Sequence, residues 1–86
     1  MINFSKHAII QMLARGASKE EVIECIKEEK FEQAKNEKFQ CKRTFEFKDI
    51  SPVNKHFYNY KTVNPIFVND NSDIIVITVK VFYHNE

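Results

Sequence analysis

The single glycine of this 86-residue chain, Gly16, stands between two short runs of helical periodicity and restricts the fold more than any other residue. Upstream of it, Ala8, Ile9, Met12 and Leu13 recur at the spacing of an amphipathic helix, and Ser5 is placed to cap its start. A glycine directly after Arg15 can take the left-handed conformation that ends a helix. Ser18-Lys-Glu-Glu21 then has the form of a capping box, with Ser18 as N-cap and Glu21 at N3. A second helix follows from about Lys19 to Glu29, with Val22, Ile23 and Ile26 inward and Glu20, Glu24, Lys27 and Glu28 in water. Helices joined by so few residues must fold back on each other as a hairpin.

After Lys30 the helical period gives way to alternation. Phe39, Cys41, Arg43, Phe45 and Phe47 alternate with Gln40, Lys42, Thr44, Glu46 and Lys48, the pattern of a strand buried on one face. Phe31 to Lys35 reads as a short edge strand turning at Asn36-Glu37-Lys38, and Asp49 to Asn54 as a loop. His56 to Thr62 is strand-like, Pro65 is expected to interrupt the ladder, and Ile66-Phe-Val68 to resume it. Asn69-Asp-Asn-Ser-Asp73 is a hairpin turn. The most apolar segment, Ile74 to Tyr83, is expected at the centre of the sheet. Its odd positions (Ile75, Ile77, Val79, Val81, Tyr83) would pack on the helices, and its even positions would line the other face. The predicted fold is α+β: one domain over 1–86, with the helix hairpin (1–29) on one face of a twisted antiparallel sheet (30–86) of four to five strands.

A hydrophobic fraction of 43 % argues against disorder, and a net charge of +1 gives no overall field for nucleic acid. The distribution is more informative. Residues 19–32 hold six Glu against three Lys, whereas residues 35–61 hold six Lys and one Arg against three acids. The β half is thus mildly basic, the sign an RNA-facing sheet needs. No apolar run approaches the ~18 residues of a membrane span. Cys25 and Cys41, without a secretory segment before them, point to free thiols in the cytoplasm. Neither they nor His7, His56 and His84 have metal-ligand spacing, so neither metal nor cofactor is expected.

His7, Gln11 and Arg15 lie along one flank of the first helix, at i, i+4 and i+8. Metal-free RNA cleavage needs a base, cations at the phosphate and an acid for the leaving oxygen. His7 can exchange a proton near neutrality, and Arg15 offers phosphate a bidentate fork. Arg43 sits among aromatic and thiol neighbours, and Thr78 projects from the face opposite the core. These four are the catalytic candidates. Lys42, Tyr58, Tyr60, Lys61, Lys80 and His84 are the candidates for stacking bases and holding backbone phosphate. Packing, capping and solvated surface are the competing readings for every one of them.

The order Ser5-x-His7-Ala8, Met12, Arg15-Gly16, Ser18, Glu21-Val22, with Ile77-Thr78-Val79-Lys80 near the end, resembles the "domain of unknown function 4258" family. Its members open on Ser-x-His-Ala-x-x-Arg-Met-x-x-Arg-Gly-[Ile/Val]-Ser and close on a strand ending in Thr-Val-Tyr. Gln11 stands where that family has Arg, and Lys80 where it has Tyr. The family is similar to the RelE- and BrnT-type toxins. The resemblance therefore implies a RelE/barnase-like fold, metal-independent endoribonuclease activity on RNA and a cognate antitoxin partner. The alternative it leaves open is a catalytically inactive protein-binding module of the same fold, as monomer or homodimer.

Overall fold

The computed structural model describes all 86 residues. Helix α1 (Lys6–Arg15) starts where the Ser5 side chain accepts the Ala8 amide at 3.0 Å, and it ends at Gly16 with φ 84°. Helix α2 (Lys19–Glu28) opens on a reciprocal capping box: the Glu21 amide donates to Ser18 Oγ at 3.1 Å and the Ser18 amide to Glu21 Oε1 at 2.9 Å. These caps are local, so the hairpin forms where its residues predict it.

Six strands make one sheet: β1 (Ile2–Phe4), β2 (Glu32–Gln33), β3 (Phe39–Gln40), β4 (Arg43–Ile50), β5 (Phe57–Asp70) and β6 (Asp73–His84). Their order is β1-β6-β5-β3-β2, and β4 pairs with β5 beyond the end of β3. The class is α+β as expected, but the sheet is mixed and has more strands than the alternation predicted. β1 runs parallel to β6, Ile2 opposite Ile74 and Phe4 opposite Val76. A three-residue strand carries no periodic signal. The expected edge strand at 31–35 shrinks to Glu32–Gln33, and Asp49 and Ile50 belong to β4 rather than to a loop. The sheet's centre is β5, flanked by β6 on one side and by β3 and β4 on the other.

Pro65 does not interrupt β5, which is continuous over 14 residues. It interrupts the neighbour instead. The register of β3 (Gln40 opposite Ile66) puts Cys41 opposite Pro65, where the Cys41 amide reaches the Pro65 carbonyl at 3.4 Å. Proline has no N–H to return that bond. The Asn64 side chain supplies it, donating to the Cys41 carbonyl at 2.8 Å, and the β3–β4 strand breaks at this point.

The inward face of β6 also differs from simple alternation. Ile66 pairs with Thr78 but Phe67 with Val76, so Ile77 is an extra residue that shifts the phase. Before this bulge the even positions Ile74 and Val76 meet the core; after it, Val79 and Val81 do. The core joins Ala8, Met12, Val22, Cys25 and Ile26 of the helices to Cys41, Val63, Phe67, Val76 and Val79 of the sheet. Leu13, expected inside, is 80 % exposed, because α1 turns Ala8, Met12 and Arg15 toward the sheet instead. No helix is long and apolar enough to cross a membrane.

Gly16 is required twice over. Its φ favours glycine, and an added Cβ would lie 2.5 Å from Tyr83 Oη and 2.9 Å from Pro52 Cγ. Gly16→Ala is expected to lower unfolding stability by about 2 kcal/mol in urea titration, beyond the ~1 kcal/mol typical of φ strain alone.

Candidate functional site

β1 pairs with β6 only as far as Val76. Beyond it, α1 closes the outer edge of β6 with side chains. The Ser5 amide donates to the Val76 carbonyl at 2.8 Å and Ser5 Oγ to the Ile77 carbonyl at 3.3 Å. Gln11 Oε1 accepts the Val79 amide at 2.8 Å, and Arg15 Nη1 donates to the Val79 carbonyl at 2.9 Å. Tyr83 then donates its hydroxyl to the Arg15 carbonyl at 2.5 Å. Ser5, Gln11 and Arg15 thus do for β6 what another strand would do. His7 is outside this row, exposed on the first turn of α1.

Two further cations join helix to sheet. Arg43 on β4 reaches Glu24 Oε2 at 2.8 Å and Glu29 Oε2 at 2.6 Å, both from the acidic second helix segment. Lys61 on β5 is only 7 % exposed. It donates to the Gly16 carbonyl at 2.8 Å and to Glu21 Oε1 at 2.9 Å, with its ammonium 5.4 Å from the Phe47 ring centre. Lys61 therefore faces the helices rather than solvent beside Tyr60. Its alternation with the buried Val63 is the sequence signal for that placement.

The helix-free face presents a different set. Cross-strand register places Tyr60 opposite His84, Thr62 opposite Phe82, Asn64 opposite Lys80 and Ile66 opposite Thr78. The Tyr60 and His84 rings stack at 5.9 Å between centres, and Phe82 is 50 % exposed between His84 and Lys80. His84 Nε2 bonds Thr62 Oγ1 at 2.8 Å, which bonds Thr44 Oγ1 at 2.8 Å, so the imidazole is held in place. Beyond Lys80 the face deepens into a pocket of about 650 Å³ whose wall includes Lys35, Lys38, Lys80, Thr78, Gln40 and Ile66, and no acid. Phe82 lies on the face its even position predicts, whereas no pattern in the sequence places the two lysines of the β2–β3 hairpin there. Tyr58 leans away from Tyr60, packing on Tyr83 at 5.8 Å, and Lys42 is exposed in the β3–β4 break.

No protein-family model, no curated protein and no solved structure matches this chain.

The structure thus brings Tyr60, Lys80 and His84 onto one face with Thr78. It distributes the four catalytic candidates differently: His7 in solvent, Arg15 on the β6 edge, Arg43 between two carboxylates, and Thr78 on the far side of the sheet. Their side chains do not surround one phosphate-sized space. No group of three His, Cys, Asp or Glu is placed to hold a metal.

Gln11→Leu should lower stability by about 1–3 kcal/mol, the effect of leaving a buried N–H without an acceptor, and Gln11→Glu should recover part of it in the same urea titration. Burial, and secondarily the Glu21 charge, push the Tyr83 phenol above its ordinary value. The unfolded chain then ionises first, so stability holds below about pH 10 and falls as pH rises through the folded value. Tyr83→Phe should flatten that alkaline limb in thermal melts recorded from neutral pH upward.

Proposed function

We propose that this chain is an RNA-binding module that lays a single strand across the helix-free face of its sheet. The observation that supports it is the exposed Phe82 ring beside the half-buried, stacked Tyr60–His84 pair, continuous with a pocket walled by three lysines. Aromatic rings accept any base by stacking, and lysines along the same track hold backbone phosphates. Arg15, Arg43 and Lys61 on the opposite face are engaged with backbone carbonyls and with Glu21, Glu24 and Glu29, whereas Lys35, Lys38 and Lys80 line this pocket with no acid in its wall; Glu46, opposite Tyr60 at the other end of the track, meets Lys48 at 3.7 Å.

The RNA-cleaving toxin implied by the opening-motif resemblance would gather His7, Arg15, Arg43 and Thr78 around one phosphate. Their distribution favours binding without cleavage, in keeping with the departures at Gln11 and Lys80. Under this reading an antitoxin is not required for the module to act.

Fluorescence anisotropy with a labelled single-stranded RNA oligomer provides the test. Phe82→Ala and Tyr60→Ala should each weaken binding by roughly tenfold, within the ~1–3 kcal/mol range of a base–aromatic stack. Lys80→Ala should reduce the slope of log affinity against log salt by about 1. Absence of binding at low salt would contradict the proposal. RNA cleavage lost in His7→Ala would favour the toxin reading instead.

A further inference from the structure

Cys25 and Cys41 take no part in either face described above. Cys25 comes from α2 and Cys41 from the break between β3 and β4; both are fully buried, with their sulfurs 3.2 Å apart. We propose that this pair is an oxidation site, closing to an internal disulfide in the presence of hydrogen peroxide and fastening α2 to the sheet. The sulfurs need approach by only about 1.2 Å to reach the ~2.05 Å of the bond. The two chain segments already meet in the core, so closure needs side-chain movement rather than rearrangement of the fold.

The chemistry balances with peroxide alone. The Cys41 thiolate attacks one peroxide oxygen, the O–O bond breaks, and the departing hydroxide takes up a proton as water. Cys25 sulfur then attacks the Cys41 sulfenic sulfur; the S–O bond breaks and its hydroxide leaves with the Cys25 proton as a second water. Two thiols are oxidised by two electrons and one peroxide is reduced. The hydrogen bond between them sets the order of attack. Hydrogen bonding with Cys41, and then burial, push the Cys25 thiol up, while hydrogen bonding with Cys25 lowers Cys41, so Cys41 is the more acidic partner. Both sulfurs are fully buried, so a small oxidant reaches them through local opening of the fold.

The test treats the purified protein with a few equivalents of peroxide, then alkylates free thiols under denaturing conditions without reductant. Mass spectrometry should find the two thiols lost together and a Cys25–Cys41 cross-linked peptide. The melting midpoint should rise by roughly 5–15 °C, reversibly with dithiothreitol. Cys25→Ala and Cys41→Ala should each show neither the cross-link nor the rise. Two alkylated thiols after prolonged peroxide, sulfinic acid without a cross-link, or disulfides only between molecules would each overturn the proposal.

Discussion

The outer edge of β6 beyond Val76 has no strand beside it, and the fold depends on how α1 closes that edge. A buried strand residue with its amide and carbonyl both unpaired would lose the equivalent of two hydrogen bonds. Gln11 and Arg15, one helical turn apart, meet the two backbone groups of a single residue, Val79. Ser5 serves both as N-cap of α1 and as donor to Ile77, so the start of the helix and its docking are set by one side chain. Tyr83 returns a bond to the end of α1, just ahead of the glycine that has no room for a Cβ. The helix is therefore tied to the strand at its start, middle and end.

Once α1 is fixed in this way, α2 buries Val22, Cys25 and Ile26 in the core, and ion pairs add to that packing. Glu21 accepts from both its own cap and Lys61, while Glu24 and Glu29 hold Arg43. Arg43 and Lys61 thus carry part of the β half's positive charge onto the acidic helix, Lys61 in the interior and Arg43 nearer the surface. The outward face of the sheet is left with its lysines facing solvent and with aromatic rings that the core does not need.

Local signals were readable in the sequence and distant partners were not. The caps at Ser5, Gly16 and Ser18 act over three or four residues, so the helix hairpin could be placed closely. The flank formed by Gln11 and Arg15 was also visible, but its partner Val79 lies more than sixty residues away, and spacing cannot name it. The bulge at Ile77 depends on a pairing with β5 that alternation cannot reveal, which is why the inward face of β6 departs from the odd-numbered pattern. Pro65 was recognised as a ladder breaker, yet the break falls on the facing strand because the missing N–H points there. On the helix-free face Tyr60, Lys80 and His84 were legible by phase. Lys35 and Lys38 were not, since they arrive through the fold of the β2–β3 hairpin.

The division of polar groups between a docking face and a free face thus rests on the Val79 clamp. Native-state amide hydrogen exchange at Val79 examines it most directly, because that amide has no strand partner on its side of β6. Slow exchange in the native protein, accelerated selectively by Gln11→Leu while the β5–β6 ladder amides keep their protection, is the expected result. Exchange at Val79 as fast as in the exposed turn at Asn71 and Ser72, or unaffected by loss of Gln11, would contradict it.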